Sequence, residues 1–367
     1  MIVDKYIQLA GGCIADDKTI YLLSRDGELE YGQKHTEVNI WNGDKSKPLL
    51  ESQIIKATVE AVVRYKNLQE NFDGLCVLSS DCEIFFIQRG SVYKEKIKDV
   101  PSGNEINSLA VIDDVLYGCG DGAVVYKRTA KKQWMAIHEA ISEKFSTLDL
   151  IIKMDEYCDK REKTDGVDSM TATLEWNQSE RFKYTDFRRL WSINGNRQNN
   201  IYACGSVNTP KSKDGVLFNY DGESWKRLAI PETNTLSSLF VGDDGRVLTG
   251  GLEGHLLMSQ DGVHFRDVST PEDLMVINYI KSYRDKIYLG TSDGLFQYQN
   301  ESIVTPDIAQ DLNKVDESIL TECWSIDICG DYLLLMCEYS AWRYCFTTGV
   351  CELLIKFTGR PEEDDDE

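Results

Sequence analysis

The stretch "DKIYLGTSDGLFQY", residues 285 to 298, alternates apolar and polar positions, turns at Ser-Asp-Gly and alternates again. Period-2 alternation on both sides of a tight turn predicts a β-hairpin. The same pattern recurs along the chain. It appears as "TIYLLSRDGELEY" (19 to 31), "GLCVLSSDCEIFF" (74 to 86) and "VLYGCGDGAVVY" (115 to 126). It continues as "NIYACG" from Asn200 joined to "DGVLFNY" ending at Tyr220, as "RVLTGGLEGHLLM" (246 to 258), and as "YLLLMCEYSAWRY" (332 to 344). A further apolar run precedes each of several hairpins, as in "VINYIKSYRD", "SSLFVGDDG" and "CWSIDICGD". A fourth follows in "DGESWKRLAI" (221 to 230), "DGVHFRDV" (261 to 268) and "KKQWMAI" (131 to 137).

Four short strands joined by Gly/Asp turns make one antiparallel blade, and seven copies predict seven blades. Equivalent positions are Tyr21, Cys76, Tyr117, Tyr202, Leu248, Tyr288 and Leu334. The interval from Tyr117 to Tyr202 is about twice the others. It holds either an insertion, over about residues 138 to 185, or an eighth, degenerate blade. Within it Ile141, Phe145, Leu148 and Ile152 stand at helical spacing, whereas "TLDLIIKM" and "SMTATLEW" also suit an outer hairpin. The missing hairpin motif favours the insertion.

The repeated unit resembles the β-propeller superfamily, of the WD-repeat and BNR-like kind, over nearly the whole chain. It lacks the Gly-His and Trp-Asp signatures of true WD repeats, and "SQDGVHF" (259 to 265) is one residue shorter than the Asp box of BNR propellers. The resemblance implies an all-β protein, a single seven-bladed propeller of four-stranded antiparallel blades over residues 1 to 357. Closure buries blade faces and protects strand edges. The terminal runs "KYIQLA" (5 to 10) and "VCELLIKF" (350 to 357) are expected to share the closing blade. Gly118, Gly205, Gly250, Gly251 and Gly290 are expected on the crowded innermost strands. Residues 358 to 367, ending in six consecutive acids, are expected to be a disordered acidic tail.

Charge narrows the function. The chain of 367 residues carries a formal net charge of −21. Such a surface repels nucleic acid phosphate and anionic lipid and orients a basic partner. The N-terminus lacks the basic and apolar regions of a signal peptide, and no apolar run reaches the length of a spanning helix. Many of the eleven cysteines sit inside apolar strand runs, which suits a reducing, cytoplasmic setting.

Reactive groups are sparse. His35, His138, His255 and His264 are not at metal-ligand spacing, and there is no C-x-x-C. Cys345 and Cys351 flank a turn and are candidates to face each other. No Walker A or G-x-S-x-G motif occurs, and "GCGDGA" (118 to 123) lacks the helix that a dinucleotide fingerprint requires. The arginine cluster and Tyr–Glu pair of sialidase-like propellers cannot be assigned, and "FRRL" at 187 to 190 does not match their motif. No cofactor, metal or catalytic residue is expected.

One constellation remains. The turn between the second and third strands carries an acid in six units: Asp26, Asp81, Asp121, Asp214, Glu253 and Asp293. In the seventh, Tyr339 and Ser340 fill it. Turn chemistry alone favours Asp-Gly here, yet six acids on one rim also focus a negative field. Trp191, Trp324, Trp342 and Tyr339 are candidate anchors, although each also suits a core position. Strong acidity, degenerate repeats and no catalytic set resemble, in type, the propeller-fold immunity proteins of bacterial polymorphic toxin systems. That resemblance implies a non-enzymatic, monomeric protein that covers a basic toxin domain. A scaffold subunit of a larger assembly and a glycan- or small-molecule-binding propeller are the rival readings.

Overall fold

In the computed structural model, residues 2–3, 7–26, 29, 33–43, 51–88, 91–186, 188–208, 213–269 and 275–357 are described. They form seven antiparallel sheets arranged as a β-propeller. The expected acidic tail at 358 to 367 lies outside the described residues. The innermost strands are Ile7–Ile14, Val59–Asn67, Ile106–Ile112, Arg189–Arg197, Leu236–Val241, Ile277–Tyr283 and Ser325–Cys329, for blades 1 to 7 in order.

The physical unit is the junction between blades. Seven buried clusters fill seven junctions. Between blades 3 and 4, for example, Tyr117, Cys119 and Val125 meet Leu190, Ile193 and Phe218. The junction of blades 7 and 1 is equally apolar, where Leu334, Met336 and Leu354 meet Ile7, Leu9 and Leu22. Burial of these faces is the main stabilising term of the ring. The second strands are buried on both faces, as in Asn200–Asn208 and Val247–Gly251, and their near-continuous apolar runs are what wrote the repeat into the sequence.

Ring closure differs from the expectation. "VCELLIKF" is the fourth strand of blade 7, but "KYIQLA" enters the innermost strand of blade 1. The chain instead closes through Ile2–Val3, which pairs in parallel with Lys356 and Phe357 as a fifth strand of blade 7. This covers an edge that would otherwise be open.

The glycines also lie elsewhere. Gly118, Gly205, Gly250, Gly251 and Gly290 are all on second strands. Gly118 and Gly250 face the side chains of Ile106 and Ile277, and Gly290 the Trp324 carbonyl. At Gly205 and Gly251 the reason is a bulge at the start of the neighbouring innermost strand, between Leu190 and Ser192 and between Leu236 and Ser238. The bulge pushes a carbonyl toward the second strand. A Cβ at Gly205 would stand 1.9 Å from the Arg189 oxygen, and one at Gly251 1.9 Å from that of Thr235. No larger residue fits without moving backbone.

The long interval between blades 3 and 4 is a helical hairpin and not an eighth blade. Helix α1 is Thr147–Asp165 and α2 is Ser169–Gln178. Ser146 caps α1 in a reciprocal box with Asp149, and Gly166, in the left-handed region at φ 67°, ends it. Asp168 caps α2 through the Thr171 N–H at 3.0 Å. The spaced set Ile141, Phe145, Leu148 and Ile152 does not form one buried stripe. Ile141 joins the core of blades 3 and 4 before the helix begins, Phe145 meets Tyr184 edge to face, and Leu148 and Ile152 are exposed.

All eleven cysteines are free thiols. Cys345 pairs with Val350 and Cys351 with Tyr344, so the two thiols are one position out of register and point to opposite faces of their sheet.

Candidate partner-binding rim

In blades 2 to 6 the turns between second and third strands meet the segments that lead into innermost strands. Ser80 N–H donates to Thr58 O, Asp121 N–H to Glu105 O, Gly215 N–H to Thr233 O, Gly254 N–H to Met275 O and Ser292 N–H to Val276 O. These bonds put the turns and the blade-to-blade connections on one end of the propeller. The helical hairpin belongs to the same end. Gly122 N–H donates to Arg188 O, and Glu143 N–H to Gly122 O.

The six acids of this rim are not equivalent. Asp121 is 7% exposed and pairs with Arg189 at 2.6 Å, while it also accepts the Asn107 amide at 3.1 Å. Asp81 pairs with Lys34 at 2.6 Å, both exposed. Glu253 accepts the Asn234 amide at 2.9 Å, and Asp293 the Ser292 hydroxyl at 2.7 Å; both are exposed. Asp26 ends its strand opposite Ile7, and Asp214 lies on the ladder opposite Val207, not in the turn itself.

The aromatic candidates separate in the same way. Trp191 is half-buried on the innermost strand of blade 4, two residues from Arg189. The Arg189 guanidinium lies 5.0 Å from its ring centroid. Asp121, Arg189 and Trp191 are therefore one contiguous set at the mouth of the axial channel. Trp342 is 5% exposed, donates its indole N–H to the Ser340 hydroxyl at 3.0 Å and packs in the core of blades 6 and 7. Trp324 and Tyr339 pack partly buried against the core of blades 7 and 1.

The axial channel has a volume of about 700 Å³ and is lined by all seven innermost strands. Glu60, Arg64, Lys281 and Asp327 are the charged residues of its described wall. Lys281 pairs with Asp327 at 2.7 Å, and Asp327 accepts the Ile14 N–H at 3.0 Å, so blades 6, 7 and 1 are joined there.

A reciprocal clamp holds the helical hairpin on the rim. Asn104 accepts the Thr147 N–H at 3.0 Å and its hydroxyl at 2.9 Å, and donates to Asp121 O at 3.0 Å. Glu143, in the neck of the insertion, accepts the Arg188 N–H at 2.9 Å and the Thr185 hydroxyl. Burial, joined by the nearby Asp186 carboxyl, pushes its acid up to about 7. Arg188 holds Asp186 at 2.8 Å. No sequence signal pointed to this neck, because its members are over 40 residues apart in Glu143 and Arg188.

Two histidines act in turns or strands. His264 Nδ1 lies 2.7 Å from the Asp261 carboxylate, which also accepts the Val263 and His264 N–H groups at 2.9 and 2.8 Å. His138 Nδ1 meets the backbone of Val125. No group of three or more His, Cys, Asp or Glu able to hold a metal ion occurs among the described residues. No described helix is long and apolar enough to cross a membrane.

No family model matches the chain. In sequence it is similar to the immune protein Tsi7 of Pseudomonas aeruginosa, 21% identical over 261 residues that cover 68% of each chain. In structure it is similar to the WD40 β-propeller domain of Doa1, with a TM-score of 0.52 and 12% identity over 89% of this chain and 91% of that one. The virginiamycin B lyase of Staphylococcus aureus aligns with a TM-score of 0.54 and 8% identity over 90% and 92%. YCF48 bound to D1 peptide aligns with a TM-score of 0.54 and 10% identity over 92% and 91%. The chain is thus a seven-bladed β-propeller whose sequence is similar to that of an immunity protein.

Proposed function

We propose that this propeller is an immunity-type protein that binds one basic toxin domain in the cytoplasm and occludes it, without chemistry of its own. The observation that carries the proposal is the similarity to Tsi7 over two thirds of the chain. Two physical features support it. The net charge of −21 attracts a cationic surface and disfavours nucleic acid and anionic lipid. The rim bearing Asp26, Asp81, Asp214, Glu253 and Asp293 gathers part of that charge at one end, around Trp191 and the channel mouth.

Inhibition in this reading is steric. Charge brings the partner to the rim and sets its orientation, and a few desolvated anchors hold it. Trp191 is the aromatic anchor placed for this, with Tyr339 beside the core of blades 7 and 1. Trp342 contributes packing only.

The test is coexpression with the product of the adjacent reading frame in the native genome. The proposal expects that product to be toxic alone, harmless beside this chain, and recovered with it as a stoichiometric complex. A harmless neighbour that never associates, or a stable place in a larger assembly, would favour the scaffold reading instead. Sugar hydrolysis by the pure chain, abolished by removal of one channel acid, would favour the glycan reading.

A further inference from the structure

We infer that helix α1 carries an apolar anchor for a cationic protein partner, on the face formed by Leu148, Ile151 and Ile152. The inference rests on the binding role above and assigns it a second contact element that the sequence reading did not include.

The three side chains are 44%, 46% and 48% exposed. Spacing of three and four residues puts them on one side of the helix. That side is not needed to hold the helix in place. The opposite side is already engaged. Leu150 is buried, Tyr157 donates to Glu175 at 3.0 Å, and Arg161 pairs with Glu175 at 2.8 Å. Lys153 lies over the rings of Phe145 and Tyr184. The patch is also fixed to the rim, because Leu148 N–H donates to Ser102 O at 3.1 Å and Thr147 is clamped by Asn104. Three neighbouring aliphatic side chains kept in water on a rigid, capped helix are unusual unless something covers them.

Charge decides the occupant. One turn further along the same side stand Asp155, Glu156 and Asp159, all exposed. Asp159 meets Lys163 at 3.0 Å, while Asp155 and Glu156 have no basic partner among the described residues. A second copy of this chain, paired about a two-fold axis, would bring like carboxylates together. The acidic C-terminal run, nucleic acid and anionic lipid would be repelled in the same way. A protein surface with an apolar centre and a flanking Lys/Arg row matches both parts of the patch.

The experiment uses the full chain and two probes. One is a labelled amphipathic helical peptide of Leu and Lys, with its Leu/Glu counterpart as control. The other is the adjacent-frame product. Variants are Ile151→Ser/Ile152→Ser, which keeps every charge, and Asp155→Lys/Glu156→Lys. Unchanged urea midpoints establish that both fold. Binding of the Leu/Lys peptide is expected to weaken by roughly tenfold or more in each variant, and the Leu/Glu peptide is not expected to bind. The complex with the adjacent-frame product is expected to weaken likewise.

If that complex forms and neither variant affects it or the peptide, the α1 anchor is overturned while the immunity role stands. If no complex forms with the unaltered chain, the immunity role fails, and the peptide measurement alone decides the anchor. Equal binding of the two peptides also overturns it.

Discussion

Asp121 and Arg189 form an ion pair at 2.6 Å where the rim turn of blade 3 meets the first residue of the innermost strand of blade 4. The two residues also form an isolated antiparallel bridge. The pair turns one member of the acidic rim into a structural tie between blades. Replacement of Asp121 by Ala leaves Arg189 and the Asn107 amide without their shared acceptor, and is expected to cost about 1–3 kcal/mol. Glu253→Ala and Asp293→Ala, at exposed sites, are expected to change stability by less than about 0.5 kcal/mol. Urea denaturation of the three variants checks the contrast.

A second tie lies between blades 2 and 3. Arg128, only 2% exposed as a side chain, pairs with Glu95 and Glu70, each at 2.8 Å, and its guanidinium lies 4.9 Å from the Phe86 ring centroid. Glu95 also accepts from Lys132 N–H and the Trp134 indole. Arg128→Met fills similar space but strands a fully buried carboxylate. The expected loss is about 3–5 kcal/mol, larger than for any exposed pair such as Lys34–Asp81. Thermal unfolding of R128M beside K34M measures the difference.

The neck carboxyl of Glu143 makes stability fall with pH. Its pKa in the folded chain, raised to about 7 by burial, exceeds the ordinary value of 4.5. Between those values the folded state therefore binds more protons than the unfolded one. This group's contribution is fully present below about 4.5 and is lost as pH rises to about 7. Asp221 and Asp261 act in the opposite sense. The Lys226 ammonium beside Asp221 and His264 beside Asp261, with backbone N–H groups, hold both carboxyls well below the usual range, so their contribution disappears only in acid. In Glu143→Gln the decline between pH 4.5 and 7 is expected to become shallower while the acid limb remains. Denaturation midpoints across that range decide it.

The bulge geometry makes a prediction at single-methyl resolution. Gly205→Ala and Gly251→Ala each set a Cβ against a backbone oxygen that cannot retreat without opening the innermost strand. Each is expected to destabilise by about 1–3 kcal/mol. Gly166→Ala meets no atom within 4 Å, and its cost comes only from the left-handed backbone, about 1 kcal/mol.

These residues also indicate what was legible in the chain. The hairpins around Tyr117, Tyr202 and Tyr288 could be read because short apolar runs, buried on both faces, and the Asp/Gly turns that end them are local. Composition points the glycines to the wrong strand because what requires them, a bulged carbonyl at Gly205 and Gly251 and close neighbours such as Ile277 at Gly250, comes from pairing and packing between strands. The helical insertion left two readings open because Leu148 and Ile152 look like a buried stripe yet face water. Its clearer mark, the Ser146–Asp149 capping box, is local and was present in the sequence. Turn position singles out the six acids in the sequence, but it cannot set Asp121 apart from Asp293, since Arg189 is 68 residues away, nor show that Asp214 lies on the ladder opposite Val207.

The central claim is that the acidic rim steers and holds a basic partner. The most direct measurement is the association rate of the chain with its adjacent-frame product over increasing salt, for the unaltered protein and for Glu253→Lys/Asp293→Lys. The account predicts a rate that falls steeply with salt, starts lower in the reversed variant, and converges for the two at high salt. An association rate indifferent to both salt and rim reversal would contradict it.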